Sequence, residues 1–446
     1  MRITKNKSIL KKRVYLFLLV ILFLLFFLLF LNTKTIKQNS NERVVVFVLD
    51  GGDWRIINKL LNDDKLENIK HMINNGASGK FLNVQPLYTP PNMASLFSGK
   101  LPYKHGILSH FEFTAGDTKN QLYRNMEVKP IWKILANKNI TIDLVGFQEF
   151  DYAPKIDGTI VTGLYIIKQV AKHNNYLLNV SNELNFLRFV PDSILISRST
   201  DNILKDYGFL DSSESIMLKN NLSPDFDTEI THAIVPYIIN SLKITEKSKK
   251  GNFEFSKLVK GLEIFFDSTI SAKFVFEYDM LSKEIALDLF KKHKSNILFI
   301  YFSGTDVFGH NYYFEGWHLE DKNNEQEQLY RYYEIIDSYI GEFLNSSDEN
   351  ITFFIISDHG IQNMTISQYI EEIQYHTQNG IFISYGKNIK KGQKIENAAI
   401  VDILPTLLYI YNQPFAEDFD GKILLDIFNE VYTRNKVIKI IPTYED

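Results

Sequence analysis

The 446-residue chain contains no cysteine. Disulfides, thiolate zinc sites, a cysteine nucleophile and a lipidated N-terminal cysteine are therefore excluded. It also lacks an excess of either charge. The net charge is −4 and there is no extended basic face, which argues against nucleic-acid binding, so no nucleic-acid partner is expected. Internal repeats and low-complexity tracts are absent as well. With 45% hydrophobic and 23% charged residues, most of the length should be folded, as one large α/β domain with insertions or as two smaller domains.

One long apolar run is present, at residues 14–31, and it has about the length needed to cross a bilayer as a helix. Arg2, Lys5, Lys7, Lys11, Lys12 and Arg13 precede it, whereas only Lys34 and Lys37 follow closely. The positive-inside rule keeps such an N-terminus in the cytoplasm and sends the remainder across. A cleaved signal peptide is the competing reading, but the apolar run is long for one and no small-x-small cleavage site follows. The expectation is a basic cytoplasmic tail over 1–13, a transmembrane helix over 14–31 and a polar tether over 32–42. That makes the protein single-pass in the cell membrane, with the domain that follows outside the cytoplasm.

From residue 43 the pattern is α/β. A strand over 43–49 precedes a helix starting near Trp54, with Asp53 as its N-cap. A helix over 66–75 ends at Gly76, and a strand over 80–84 leads to Thr89-Pro90-Pro91-Asn92, read as a turn. Met93, Leu96 and Phe97 then predict a helix closed by Gly99. Alternation breaks down over 151–281, read as a partly helical insertion that shapes a pocket. It resumes with strands over 296–302, 351–356 and 380–384 and helices over 282–293, 325–344 and 401–411. The folded domain is expected over 43–430, followed by a C-terminal tail over 431–446.

Chemistry-bearing side chains recur where strands end. Asp50 closes VVVFVLDGG, Asp306 and His310 follow ILFIYFSGT, and Asp358 and His359 follow ITFFIIS. Carboxylates and imidazoles at the carboxyl ends of strands are what an open α/β sheet offers a metal or ligand. Asp306 and His310 stand about one turn apart, and Asp358 and His359 are adjacent. Singly these motifs are weak, and a lone D-H-G is more often loop chemistry. Their joint order and context point to a two-metal phosphoryl-transfer site.

The segments VFVLDGGDW, YTPPNMASLFSGKLPYKHGI, YFSGTDVFGH, ISDHGI, HTQNGIFISYG and VDILPTLLYIYNQPFAEDFDG resemble the alkaline phosphatase superfamily, specifically its type I phosphodiesterase/nucleotide pyrophosphatase branch. The resemblance spans about residues 43–150 and 283–421 in the family's order. It implies a large, mainly parallel central sheet flanked by helices and a metal-dependent phosphoric ester hydrolase, most simply a phosphodiesterase or nucleotide pyrophosphatase. Thr89 matches the nucleophile that becomes a phospho-threonine. Asp50, Asp358 and His359 match the ligands of the ion that activates Thr89, and Asp306, His310 and His376 match those of a second ion. Both ions are expected to be zinc, with manganese the alternative, because Asp and His ligands discriminate weakly. The branch usually carries an asparagine shortly after H-G-I; here Ser109 and His110 fall there, so His110 is a candidate phosphate contact and a phosphoester the expected substrate.

Two rival readings use the same residues: a phosphoglycerol or phosphoethanolamine head-group transferase, and a non-catalytic member binding a glycan or head group. A sulfatase fits poorly, since its nucleophile stands in C/S-x-P-x-R and Thr89 leads T-P-P-N. Among weaker candidates, His105 is expected to support the turn at Gly106, and Asn92 to cap the helix after Thr89. Trp317 and His318 are equally placed to touch substrate or solvent. The run Lys387, Lys390, Lys391 and Lys394 is read as a solvated turn.

Overall fold

In the computed structural model, residues 42–108, 126–147, 153–154, 156–163, 196–198, 268–312, 322–348, 350–361, 376–434 and 436–445 are described. Strand β1 (Arg43–Leu49), RVVVFVL, is buried on both faces, as the interior of a parallel sheet requires. Helices α1 (Trp54–Asn62) and α2 (Glu67–Asn75) lead to β2 (Ala77–Leu82). Then come α3 (Thr89–Ser98), the short α4 (Pro102–His105) and α5 (Ile131–Ile134), and strands β3 (Ile142–Val145), β4 (Gly158–Val161) and β5 (Ile196–Arg198). The long α6 (Ser268–Lys292) is followed by β6 (Ile297–Phe302), α7 (Gly304–Tyr312), α8 (Lys322–Asn345) and β7 (Ile351–Ile356). Two short strands, β8 (Gly360–Ile361) and β9 (His376–Thr377), precede β10 (Asn379–Gly386) and β11 (Gln393–Ala399). The chain continues through α9 (Ile403–Ile410), β12 (Phe415–Ala416), α10 (Glu430–Arg434) and β13 (Ile440–Ile441).

Nine strands form one sheet in the order β11-β2-β10-β7-β1-β6-β3-β4-β5. Only β5 and β10 run against the others, so the sheet is mainly parallel, as expected. Because strand side chains alternate, Val44, Val46 and Val48 face one helical layer, with Phe97 and Leu407. Val45, Phe47 and Leu49 face the other, with Ile57, Met72, Phe290 and Ile340. The architecture is an α/β domain with a mainly parallel central sheet between two helical layers.

The expected membrane anchor is corrected. No helix among the described residues is long and apolar enough to cross a membrane. The two longest, α6 and α8, carry charges along their length, such as Lys283 and Glu342, and lay one apolar face on the sheet. The run at 14–31 lies outside the described residues. The transmembrane helix in the fold class, the membrane as partner and the extracytoplasmic single-pass location are therefore withdrawn.

Two other boundaries differ from expectation. Within 151–281, β4 pairs in parallel with β3 and β5 pairs with β4, so this stretch extends the central sheet, and α6 begins inside it. Most of its remainder lies outside the described residues. The segment expected as a tail is tied to the domain. There β13 pairs with β12, and Glu445 accepts hydrogen bonds from Lys100 Nζ and the Lys129 amide, both at 2.8 Å.

Phe47 sits at the sheet centre, stacked between Phe302 and Phe353 at 6.4 and 6.3 Å and meeting Phe343 edge-on at 5.2 Å. Phe47→Ala should cost about 3–5 kcal/mol through lost burial and a cavity, read as a lowered urea midpoint with unchanged slope.

Candidate metal centre

Strand β1 lies between β6 and β7, with Leu49 opposite Phe302 and Val48 opposite Ile356. That register brings three strand ends together. Asp50 leaves β1, Asp306 stands in the first turn of α7 beyond β6, and Asp358 and His359 leave β7. His376 arrives on β9, which pairs with β8 just past His359. Two groups of potential ligand atoms result, Asp50–Asp358–His359 and Asp306–His359–His376, each with its atoms within 4.8 Å of one another. His359 belongs to both.

Within the first group, His359 Nε2 stands 3.2 Å from Asp50 Oδ1 and 3.7 Å from Asp358 Oδ2. Yet His359 Nε2, Asp50 Oδ1 and Asp358 Oδ2 are buried without an aligned hydrogen bond. Buried polar atoms are normally satisfied, so three orphans converging on one point mark a place for a cation. In the second group His376 Nε2 is 3.8 Å from Asp306 Oδ1. The rings of His359 and His376 stack at 3.6 Å with 16° between planes. His376 Nδ1 donates to the Leu87 carbonyl at 2.7 Å, which leaves Nε2 as the lone-pair nitrogen facing Asp306. A ligating histidine held this way is the usual arrangement in metal sites.

The electrostatics agree. Burial, then Asp358 and Asp306, push the Asp50 carboxyl well above the usual carboxylate range. Burial by itself lowers the His359 imidazole, but Asp358, Asp50 and Asp306 outweigh it and lift it to about 10. The donor set, oxygen and imidazole with surplus negative charge, fits divalent ions.

Supporting contacts that the sequence pattern did not reveal hold the ligands. Tyr301 donates its hydroxyl to Asp50 Oδ2, and Thr305 Oγ1 donates to the Asp50 carbonyl at 2.5 Å. The Gly51 amide donates to Asp358 Oδ1 at 3.3 Å. Gly51 has φ +63°, and a Cβ there would fall 2.8 Å from Asp306 Oδ1, so only glycine fits. Asp53 caps α1 through the Arg55 amide, as expected, and its other oxygen accepts from the Ile361 amide at 3.2 Å, tying the loop after Asp358 to the loop after Asp50. Tyr301 is hidden among core aromatics in sequence, and no pattern distinguishes it.

Thr89 opens α3 instead of standing in a turn. Pro90 and Pro91 fill the helix's first turn, where missing amides cost little. Asn92 does not cap that helix. Its Oδ1 accepts from the Val84 amide at 2.8 Å and its Nδ2 donates to the Tyr88 carbonyl at 3.0 Å, bracing the loop before Thr89. Gly99 ends α3 at φ +67°, as expected. The lysine run lies at the far end of the sheet, because β10 runs antiparallel to β7 and its Gly386 end pairs with Thr352. His310 belongs to α7, one turn beyond Asp306, but its side chain lies outside the described residues, as do His110, Trp317 and His318 entirely.

A family model for type I phosphodiesterase / nucleotide pyrophosphatase matches residues 44–420, and the chain belongs to that family. It is a metal-dependent hydrolase of the alkaline phosphatase superfamily. The chain is similar to a 2,3-bisphosphoglycerate-independent phosphoglycerate mutase of Metamycoplasma hominis, 21% identical over 88% of this chain and 80% of that one. A crystal structure of a variant of the alkaline phosphatase PafA aligns with TM-score 0.50 and 14% identity, over 86% of this chain and 98% of that one. Human ectonucleotide pyrophosphatase / phosphodiesterase 5 aligns at TM-score 0.46 and 12% identity, over 87% of this chain and all of that one.

His105 is buried just beyond α3. Its Nδ1 accepts from the Ile107 amide at 3.1 Å, so the proton sits on Nε2, 3.0 Å from Ser95 Oγ. Burial lowers its pKa to about 4. Since the unfolded ring titrates near 6.5, its contribution is complete above that pH and is lost as pH falls from 6.5 to 4, by on the order of 3 kcal/mol. His105→Gln should flatten the stability curve over that window, measured by urea unfolding at pH 7 and pH 4.5.

Proposed function

We propose that the protein hydrolyses phosphoric diesters or nucleotide pyrophosphates through a phospho-threonine at Thr89, with two divalent ions, zinc in the first instance and manganese as the alternative. The observation that carries this reading is the pair of Asp/His groups meeting at His359, with orphaned buried ligand atoms between them. Asp50, Thr89, Asp358 and His359 would hold one ion; Asp306, His310 and His376 would hold the other. Bound ions would supply charge neutralisation and a lowered pKa for a coordinated hydroxyl or water.

The chain's own residues supply the remainder. Thr89 Oγ forms a bond to phosphorus as the bond to the leaving oxygen breaks. The threonine proton passes to solvent water, and the leaving oxygen takes up a proton from solvent water. Water then attacks the phospho-threonine, releasing a phosphomonoester and restoring the hydroxyl. Pro90 and Pro91 remove two backbone donors from the start of α3, so the charge on phosphoryl oxygens must be met by other groups, with His110 the proposed side-chain contact. The carboxylates would act with the imidazoles as ligands of the ions and have no role as bases in this scheme.

Three measurements test the reading. Elemental analysis of the protein should find about two divalent ions per chain, and Asp358→Asn should reduce that number. Thr89→Ala should lower turnover of a phosphodiester by at least about 10³-fold while metal content persists, and Thr89→Ser should keep part of the activity. Undiminished hydrolysis by Thr89→Ala would reject the covalent route. A panel of diesters, pyrophosphates and monoesters assigns the class, and a phosphoglycerate belongs on it because of the mycoplasma relative's name.

A further inference from the structure

Asp279 lies within α6, 1% exposed, and the proposed reaction does not use it. Its Oδ1 accepts from the Ser303 amide at 3.0 Å and more weakly from Ser303 Oγ at 3.4 Å. Its Oδ2 accepts from the Gly304 amide at 2.8 Å and from the Tyr332 hydroxyl. These amides open α7, where a helix has no internal acceptors for them. A carboxylate on one helix therefore caps another, and the capped helix carries Asp306 and His310.

The same junction is pinned from other sides. Tyr332 belongs to α8, and its ring stacks on Phe308 of α7 at 4.4 Å and 17°. Gly304 leaves no slack, since a Cβ there would fall 2.1 Å from the Tyr332 hydroxyl oxygen. Thr305, the next residue, reaches the Asp50 carbonyl. Asp306 follows directly, so its carboxylate cannot shift without disturbing one of these contacts.

We propose that Asp279, supported by Tyr332, is a positioning residue that fixes α7 so that Asp306 reaches the second ion, and that it thereby sets the affinity for that ion alone. The proposal rests on the two-ion reading of the site given above. Every group facing Asp279 in these contacts is a donor, so both carboxylate oxygens are needed as acceptors. An amide would turn its NH2 against the Ser303 or the Gly304 amide. The loss would be geometric, transmitted two residues along the helix to Asp306. Outer contacts of this kind are typically worth 10–100-fold in metal affinity.

A merely structural role is separable, because Asp337 does the same job elsewhere. It is buried on α8 and caps α2 through the Asn68 and Ile69 amides at 3.2 and 2.7 Å, and α2 carries no candidate ligand. Zinc alone is titrated calorimetrically into the metal-free full-length protein, with the urea midpoint of each variant measured alongside. The unaltered protein should bind two ions. Asp279→Asn should weaken one of them by about 10–100-fold and leave the other unchanged. Asp337→Asn should leave both affinities unchanged at a comparable loss of stability. Unchanged affinities in Asp279→Asn, or the same weakening in Asp337→Asn, overturn the proposal. If Asp279→Asn fails to fold, Tyr332→Phe decides: weakening of one ion supports the positioning role and two unchanged affinities reject it. Fewer than two ions in the unaltered protein would remove the two-ion reading, and this proposal with it.

Discussion

Three carboxylates, Asp50, Asp306 and Asp358, face one another at the end of the sheet, and their mutual repulsion in a buried place is the constraint around which the domain is arranged. Burial and the two neighbouring acids drive the Asp50 carboxyl upward. One imidazole, His359, is pulled up in response, but a single proton cannot balance three acids. The fold does not relieve the conflict by moving the groups apart. Tyr301, Thr305 and the Gly51 amide hold them in place, and Gly51 lets Asp306 approach where any side chain would displace it. Stability spent on such an arrangement is recovered when positive charge enters.

The capacity to hold the groups comes from the sheet. β1 is flanked by β6 and β7 in unbroken parallel register, so the three strands end at one level and their next residues converge. β10 runs in the opposite direction, and the short strand β9 just before it brings His376 as a fifth ligand. The nucleophile candidate arrives on a separate helix. The Leu87 carbonyl, two residues before Thr89, accepts from His376, so the loop leading to α3 and the ligand from β9 are coupled through one hydrogen bond.

Most of this was legible because buried parallel strands announce themselves. Their runs are continuous, and a charged residue at the end of one stands out, as Asp50, Asp306 and Asp358 did. Helix boundaries with strong local signals were equally readable, including Asp53 before the start at Trp54 and Gly99 after the end at Ser98. Thr89 was misplaced into a turn because two prolines read as a break, although they are well accommodated in a first helical turn. The strands β4 and β5 were missed because each is short and depends on a neighbour for its pairing. Tyr301 and Asp279 act through contacts made across long sequence distances, which periodicity cannot carry. The apolar run at 14–31 met the length rule for a span, but length and flanking charge are local features, and no described helix has that character.

The parallel ladders also dictate an order of events during synthesis. β1 leaves the ribosome before either neighbour: its partner β6 follows roughly 250 residues later and β7 later still. At about 5–20 residues per second, the central strand waits on the order of 10–50 s for its first neighbour. RVVVFVL is a β-prone apolar run with one charge, so throughout that interval it is an unpaired edge capable of recruiting other chains. The central position that lets β1 gather the site therefore makes it the segment whose nascent form most needs protection.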